Sequence, residues 1–331
     1  MTSFWSNKHV LVTGADGFIG SHLVDVLGKA GASVRAFVRY NSRASTGFLH
    51  KTYPDKNGQI EIIAGDLRDC DAVRQATKGC DVVFHLGALI GIPYSYFHPR
   101  EVVETNLMGT LNVLIACRNF DVNRLVHTST SEVYGTALRT PIDEGHPLQG
   151  QSPYSASKIG ADKLVESFYR SYSLPTVTIR PFNTYGPRQS TRAVIPTIIT
   201  QALNENIVRL GNLKTTRDFT FVDDTVAGFI KGAQVEEIEG GTYNLGTGSG
   251  LSIGELAKLI INEVGRPVKI VVDEKRLRPE KSEVFQLLSD NSLAREKLNW
   301  LPKIDLKTGL RKTIDWVEKN QELYKSDNYH V

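Results

Sequence analysis

Three evenly spaced glycines near the start of the chain constrain its fold more than any other feature. Gly14, Gly17 and Gly20 lie in the segment 13–20, TGADGFIG, between a first apolar strand and a first amphipathic helix. Glycines let a backbone turn tightly and approach a pyrophosphate, and the following helix directs its N–H groups and positive dipole end at the phosphates. The alternative is a simple tight turn, but the strand–loop–helix context favours dinucleotide binding. The other residues predicted to contact the dinucleotide in this loop are Asp16, Phe18 and Ile19.

The first half of the chain alternates apolar strands with amphipathic helices. The predicted strands, rich in Val, Ile and Leu, cover 9–13, 33–38, 61–64, 81–86, 124–128 and 176–180. The predicted helices between them include 19–30, 102–119 and 154–172. Near-continuous apolar strands that alternate with helices are typical of a parallel sheet covered on both faces. We therefore predict an α/β fold with a doubly wound parallel sheet of the Rossmann type.

The pattern changes after residue 180, where the turn-rich run 181–188 begins. A helix is expected at about 194–203, followed by a return to the sheet through 219–235 and 242–245 and by a mixed C-terminal part. We expect a second, smaller mixed α/β domain that binds substrate. The predicted division assigns 1–180 plus about 217–245 to the dinucleotide-binding domain, and 181–216 plus 246–325 to the substrate domain.

Composition excludes several classes of protein. The 331 residues are 40% apolar and 23% charged with a net charge of +3, which is ordinary for a globular protein and too weakly basic for a nucleic-acid binder. The three cysteines lack CxxC spacing and the eight histidines lack an HxxxH pair, so we expect a reducing compartment and no metal site. With no signal peptide and no apolar run of about 18 residues, we expect a cytoplasmic protein that does not enter a membrane.

The end of the second strand predicts which form of the cofactor binds. A cofactor without a 2′-phosphate usually meets an acidic residue there. This chain instead has Arg39, Ser42 and Arg43, which together suit a 2′-phosphate and favour NADP over NAD. The alternative is that the arginines only cover the surface. Asp66, followed by Leu67 after the third strand, is expected to meet the adenine end.

Tyr154 and Lys158 form the first candidate catalytic pair. They lie four residues apart on a predicted helix, so they share one face about 6 Å apart along the axis. An ammonium near a phenol is expected to lower its pKa, which would make Tyr154 a base for a hydroxyl proton. A lysine that merely lies beside a half-buried tyrosine is the alternative.

A polar segment after the fifth strand strengthens this interpretation. Thr130, Ser131 and Glu132 follow a predicted central strand, at the sheet edge where doubly wound folds bind ligands. Thr130 is expected to hydrogen-bond the reacting hydroxyl, and Glu132 to act as an acid or base on a neighbouring carbon. The alternative for Glu132 is a carboxylate that stabilises a helix start.

Taken together, these residues resemble the extended short-chain dehydrogenase/reductase family, which includes the sugar-nucleotide epimerases and dehydratases. The resemblance covers nearly the whole chain and is closest to bacterial 4,6-dehydratases of the legionaminic and pseudaminic acid pathways. Its carriers are 13–20, 66–67, 85–88, 105–106, 129–135, 154 with 158, 180–186 and 217–219, and, for the closer likeness, 88–96 and 149–154.

The resemblance implies roles for further residues. It implies a tightly bound NAD or NADP, contacted also by Leu86 and Ala88, and a homodimer built from helices 102–119 and 154–172. It implies a UDP-, GDP- or dTDP-sugar as substrate. The residues expected to contact that substrate are Ser95, Asn183, Arg188, Arg217 and Arg278.

The expected reaction is a 4,6-dehydration. Thr130, Tyr154 and Lys158 would serve oxidation at C4, and Glu132 would remove the C5 proton before hydride returns to C6. Glucose-type dehydratases carry Asp–Glu where this chain has Ser131–Glu132, which leaves open the acid that protonates the leaving hydroxyl. Four alternatives remain open: decarboxylation of a UDP-glucuronate, 4-epimerisation, C4 oxidation with C5 epimerisation of an unsaturated 6-deoxy UDP-sugar, and a non-catalytic dinucleotide sensor.

Overall fold

The computed structural model describes residues 4–42, 45–49 and 58–324, and the predicted cofactor residue Arg43 lies outside these ranges. Within them, no helix combines the length and the apolar character needed to cross a membrane. The strands are β1 (His9–Thr13), β2 (Ser33–Arg39), β3 (Ile60–Gly65), β4 (Val82–His85), β5 (Arg124–Thr128), β6 (Thr176–Pro181), β7 (Thr184–Tyr185), β8 (Ile207–Leu210), β9 (Thr216–Asp218), β10 (Thr220–Phe221), β11 (Thr242–Leu245), β12 (Gly250–Ser252), β13 (Lys269–Val272) and β14 (Gln286–Leu287).

A seven-stranded parallel sheet forms the centre of the fold, in the order β3-β2-β1-β4-β5-β6-β11. The strand order reverses beside β1, where successive strands begin to add on the opposite side. Such a reversal opens a crevice at the carboxyl ends of the strands, and doubly wound folds bind their ligands there. The prediction of a doubly wound Rossmann-type sheet is therefore confirmed.

Helices cover both faces of this sheet. The helices of the described residues are α1 (Phe18–Lys29), α2 (Cys70–Thr77), α3 (Ile92–Phe97), α4 (Pro99–Val103), α5 (Gly109–Asn119), α6 (Pro153–Tyr172), α7 (Val194–Asn204), α8 (Val222–Gln234), α9 (Ile253–Val264), α10 (Ser292–Leu298) and α11 (Leu306–Lys319), of which α1, α2, α5, α6 and α8 pack against the central sheet. Val10 and Val12 of β1 pack toward α1 and α8, whereas Leu11 between them packs toward α2, α5 and α6. Apolar residues at successive positions are thus buried on alternate faces, which explains the continuous apolar runs.

The predicted helix 102–119 is interrupted. The chain forms α4, then a π-helical turn over Glu104–Met108, and only then α5. Asn106 in that turn is buried, and its side chain binds both the N–H and the C=O of Leu89 at 2.7 and 2.9 Å. The π turn therefore lets Asn106 hold the segment that follows β4, and such turns are frequent near functional sites.

Smaller sheets follow β6. β9 lies between β12 and β14, β8 pairs with β13, and β7 pairs with β10. The predicted return to the central sheet is made by β11 alone, because residues 222–234 form α8 and cover the sheet.

Candidate active site

The glycine loop after β1 has the shape of a phosphate cradle. Gly14 has a φ of +65°, and a Cβ on it would lie 2.8 Å from the Cα of Gly87. A Cβ on Gly20 would lie 2.1 Å from the carbonyl oxygen of Gly14. Gly17 caps α1 without a side-chain hydrogen bond, so the first N–H groups of this helix remain directed toward the loop. These residues fit a dinucleotide pyrophosphate.

A chain of buried hydrogen bonds joins this loop to the segment after β4. The N–H groups of Leu86 and Gly87 donate to Thr13 Oγ1 at 3.1 and 3.0 Å, and Thr13 Oγ1 lies 2.8 Å from His85 Nδ1. His85 Nε2 lies 3.0 Å from Thr110 Oγ1, which donates to the carbonyl of Asn106 at 2.6 Å. Because burial lowers the pKa of His85, its ring is neutral. Thr13 Oγ1 already accepts two hydrogen bonds and so donates to Nδ1, whereas Thr110 Oγ1 already donates and so accepts from Nε2, which carries the ring proton. The chain fixes Leu86 and Ala88 at the switch point.

Two arginines of the described residues lie at the sheet edge predicted to meet the adenosine, and each is paired. Arg39 Nη2 lies 3.3 Å from Glu101 Oε1, a partner that the sequence prediction did not include. Arg68 donates to both carboxylate oxygens of Asp66, at 3.0 and 2.7 Å, and this hydrogen bonding lowers the pKa of Asp66. Ser42 is exposed near this end.

Tyr154 and Lys158 lie in the first two turns of α6, as predicted. The helix begins with a capping box, in which the N–H of Ser155 donates to Ser152 Oγ at 3.1 Å and the N–H of Ser152 donates to Ser155 Oγ at 3.0 Å. Lys158 Nζ donates to the carbonyl of Thr128 at 2.6 Å, and the Tyr154 hydroxyl is hydrogen-bonded to Thr130. Hydrogen bonds of Lys158 and Tyr154 thus join the start of α6 to the end of β5.

The pKa of Tyr154 differs from the sequence prediction. We predicted that Lys158 lowers it, but burial raises the pKa of Tyr154 above its usual value, and the hydrogen bond from Thr130 offsets this only in part. The Lys158 ammonium instead lies against the Thr128 carbonyl, and burial lowers its own pKa to about 8. Tyr154 is therefore a neutral phenol at neutral pH in the protein without ligands.

Glu132 lies close to Tyr154, on a short 3-10 turn, Ser131–Tyr134, whose N-cap is Thr130. Its N–H donates to Thr130 Oγ1 at 3.2 Å, and its carboxylate is close enough to raise the pKa of Tyr154. Arg278 Nη1 lies 3.8 Å from Glu132 Oε2. Ser131 is buried at the start of the turn.

Arg217 and Arg278 lie on the other side of Glu132. Arg217 is buried and lies 3.9 Å from Glu283, and burial lowers the pKa of its guanidinium, which the charge of Glu132 partly offsets. Within the described part of the chain, neither Arg278 Nη1 nor the buried Asn183 Oδ1 has a hydrogen-bond partner. Unsatisfied buried polar atoms are rare in native proteins, and here they lie on residues predicted to bind substrate.

Two of the residues predicted to bind substrate have partners within the protein. Arg188 is buried in an ion pair with Asp25 of α1 at 2.7 Å and also donates to Ser21, so its guanidinium holds α1 against the later part of the chain. Ser95 is fully buried, and its hydroxyl donates to the carbonyl of Ile92 within α3 at 2.7 Å. Their roles in substrate binding stay predictions.

Sequence reasoning missed a buried ionic cluster one helical turn beyond Lys158. Asp162 accepts from Arg180 at 2.9 and 3.2 Å and from Ser129 at 2.8 Å, and it lies 3.2 Å from His127 Nε2. Its charge raises the pKa of Lys158 and so limits the effect of burial. The helical spacing of four residues from Lys158 is the signal that could have identified it.

No set of three or more His, Cys, Asp or Glu side chains in the described ranges is arranged to hold a metal ion. The candidate chemistry therefore rests on the phosphate cradle, the Tyr154–Lys158–Thr130 group, Glu132 and the two arginines.

Comparison with known proteins places this geometry in a family. The family model described as GDP-mannose 4,6 dehydratase matches residues 11–313. The chain belongs to the extended short-chain dehydrogenase/reductase family of nucleotide-sugar epimerases and dehydratases. Its members are NAD-dependent dehydratases and epimerases, so this chain is an enzyme of that family.

The relatives include both epimerases and dehydratases. A putative UDP-glucose 4-epimerase of Methanocaldococcus jannaschii is 32% identical, covering 94% of this chain and 99% of that protein. The structure of Pal from Bacillus thuringiensis is 35% identical with a TM-score of 0.86, covering 94% of this chain and 99% of Pal. DesIV, the dTDP-glucose 4,6-dehydratase of Streptomyces venezuelae, solved with NAD and TYD bound, is 28% identical with a TM-score of 0.85, covering 96% and 99%.

Proposed function

We propose that this protein is a nucleotide-sugar 4,6-dehydratase that acts on a UDP- or GDP-linked N-acetylhexosamine, such as N-acetylglucosamine. The observation that carries the proposal is the carboxylate of Glu132 beside the hydrogen-bonded pair of Thr130 and Tyr154. Oxidation at C4 requires only the tyrosine, the lysine and the dinucleotide. A second basic group beside them suits removal of a proton from the neighbouring carbon, as a dehydration requires.

The first step uses Tyr154. Its phenol must ionise before turnover, and the phenolate then takes the proton of the C4 hydroxyl, which Thr130 orients by hydrogen bonding. The Lys158 ammonium, held at the Thr128 carbonyl, favours the ionised phenol as long as it keeps its proton. When bound, the nicotinamide supplies the acceptor for the hydride that leaves C4 and the donor of the hydride that finally reaches C6.

The second step uses Glu132. The C4 ketone makes the C5 proton acidic, and the Glu132 carboxylate takes it as the C6–O bond breaks. Ser131, which stands where glucose-type dehydratases carry an acid, has no acidic proton to give. The same Glu132 carboxyl therefore returns its proton to the departing hydroxyl, which leaves as water. Protonation of C5 by a proton from solvent then completes a 4-keto-6-deoxy sugar, while Tyr154 releases the proton it took from the C4 hydroxyl.

The substrate's diphosphate is assigned to Arg217 and Arg278. Both guanidinium groups lie beside Glu132, and charge-assisted bonds to phosphate are the strongest that such groups make. Asn183 offers its unpaired Oδ1 to a sugar hydroxyl. We assign residues 181–216 and 246–325 to the substrate-binding domain, and 1–180 with about 217–245 to the dinucleotide-binding domain.

The cofactor is assigned as a tightly bound NAD or NADP in the cradle of Gly14, Gly17 and Gly20. The subunit is assigned to a homodimer, formed through the segments 102–119 and 154–172, which expose Met108 and Tyr172. We place the reaction in the cytoplasm, in the biosynthesis of sialic-acid-like sugars, because 88–96 and 149–154 resemble dehydratases of those pathways.

A second candidate is 4-epimerisation, which the relative described as a putative UDP-glucose 4-epimerase favours. An epimerase would invert C4 and would leave the mass of the substrate unchanged. To separate the two, we would incubate the purified protein with UDP-N-acetylglucosamine and with GDP-N-acetylglucosamine and follow the products by mass spectrometry. The proposal expects a product lighter by one water from one of them. An isomer of unchanged mass would show an epimerase instead.

A further inference from the structure

Glu101 holds the arginine that ends β2. Arg39 Nη2 lies 3.3 Å from Glu101 Oε1, and 62% of the Arg39 side chain is exposed against 27% for Glu101. In doubly wound folds, the side chains at this strand end meet the adenosine ribose, and an arginine there pairs with a 2′-phosphate. The arginine best placed to accept NADP therefore already has a carboxylate partner.

Glu101 is itself fixed in place. Its second oxygen accepts a hydrogen bond from the Tyr94 hydroxyl, and the Tyr94 ring lies against His98 with centroids 4.5 Å apart. The hydrogen bond from Tyr94 lowers the pKa of Glu101, and the charges of Arg39, Arg68 and His98 lower it further, so the carboxylate is ionised at neutral pH. Its negative charge is a permanent feature of this edge.

Among the described residues, the other arginine near this strand end, Arg68, is also paired. Arg68, at the end of β3, makes two hydrogen bonds to Asp66. With the described arginines alone, a 2′-phosphate at this edge would have to draw an arginine away from a carboxylate and then lie within a few ångströms of that carboxylate. A ribose hydroxyl carries no charge and meets neither obstacle.

We propose that Glu101 selects NAD over NADP by occupying Arg39 and by repelling a 2′-phosphate at the end of β2. This inference rests on the proposed binding of a nicotinamide dinucleotide in the glycine cradle. It assigns a specificity role to a residue 62 positions away from Arg39 along the chain, on α4 rather than on the strand that usually carries the acidic group.

The test measures which cofactor the protein retains, not its activity. Wild type and Glu101→Gln would be equilibrated with an equal excess of NAD and NADP, desalted and denatured, and the released dinucleotides quantified by mass spectrometry. Glutamine keeps the size of the side chain and can still accept from Tyr94. We expect the ratio of NADP to NAD to rise roughly five- to tenfold, which is about the effect of one unit charge a few ångströms away when water screens it fully.

Three further variants test whether the effect passes through Arg39. Glu104→Gln removes the same charge one turn away, from a residue that pairs with Arg100, and should leave the ratio near that of wild type. Arg39→Gln should lower the ratio, and adding Glu101→Gln to Arg39→Gln should raise it clearly less than Glu101→Gln raises it in wild type, because only the repulsion is then relieved. An unchanged ratio in Glu101→Gln, or an equal rise in the double variant, would overturn the inference while the proposed function stands. If none of the proteins retains a dinucleotide, the proposed function fails and the inference fails with it.

Discussion

At the scale of single residues, the site depends on the protonation states of two buried groups, the Tyr154 phenol and the Lys158 ammonium. Tyr154 keeps its proton in the ligand-free protein because burial raises its pKa, whereas Lys158 loses its proton more easily than an exposed lysine. The carboxylate of Asp162, held by Arg180 and Ser129, is the nearby charge that favours the Lys158 ammonium. The charge state of the Tyr154–Lys158 pair therefore depends also on Asp162, one turn further along the same helix.

Replacing Tyr154 with phenylalanine should abolish turnover without unfolding the protein. The ring stays in its buried position, and only the hydroxyl that meets Thr130 is lost. Removal of a general base typically costs about 10²–10⁴-fold in rate. Steady-state kinetics would measure the loss, and circular dichroism with cofactor retention would serve as the control. Activity close to that of wild type would mean that Tyr154 has only a structural role.

The pKa of Lys158 predicts how stability depends on pH. Its folded-state pKa of about 8 lies below the ordinary value of 10.5, so the unfolded chain binds more protons between these values. The contribution of Lys158 to the free energy of unfolding should therefore increase as the pH rises through this window. For Lys158→Met, the stability relative to wild type should fall by up to about 2 kcal/mol between about pH 7 and about pH 9.5.

Urea unfolding of cofactor-free wild type and Lys158→Met at several pH values would measure this difference. The comparison cancels the other titrating groups, because they are common to both proteins. If the difference in stability stays constant with pH, the ammonium is not destabilised by burial, and the interpretation of Lys158 is wrong.

At the scale of secondary structure, the phosphate cradle depends on close backbone contacts. Gly20 lies in the first turn of α1, where a side chain would collide with the carbonyl of Gly14. Because both partners are backbone, the collision cannot be relieved by a rotamer change.

Gly20→Ala should therefore displace the loop and weaken dinucleotide binding. We expect a loss of at least about tenfold in affinity, equivalent to about 1.4 kcal/mol. Gly79→Ala is a suitable control, since Gly79 lies outside the site and a Cβ on it would meet nothing within 4 Å, although its φ of +75° adds local strain. Retained cofactor, measured after denaturation, should fall for Gly20→Ala and remain for Gly79→Ala. Equal retention would show that the loop does not contact the dinucleotide.

Local patterns predicted most of the fold. The strands β1 to β6 are largely apolar runs, and α1 and α6 are amphipathic, so all of these elements were found within one or two residues. The π turn around Asn106 was not predictable, because it is selected by contacts with Leu89 and Ser157. The ion pair of Arg188 was not predictable for the same reason, since its partner Asp25 lies 163 positions earlier in the chain. The pairing of Arg39 with Glu101 also depends on tertiary structure.

At the scale of the whole molecule, the parallel sheet brings distant segments to one edge. The cradle after β1, Leu86 after β4 and Thr130 after β5 meet at the switch point, and α6 adds Tyr154 and Lys158. Arg278, far along the chain, reaches Glu132 at 3.8 Å. The dinucleotide half and the substrate half of the site thus meet at Glu132, which makes this residue the best probe of the whole account.

The most direct test is the fate of the C5 proton, followed in D₂O with wild type and Glu132→Gln. Glutamine keeps the size of the side chain but cannot take a proton, so the variant should oxidise C4 and then stall. The account predicts that wild type gives a 4-keto-6-deoxy product with solvent deuterium at C5, and that Glu132→Gln accumulates reduced cofactor without this product. A 4-keto-6-deoxy product formed by Glu132→Gln at the wild-type rate would contradict the account, and so would a wild-type product that has lost no water.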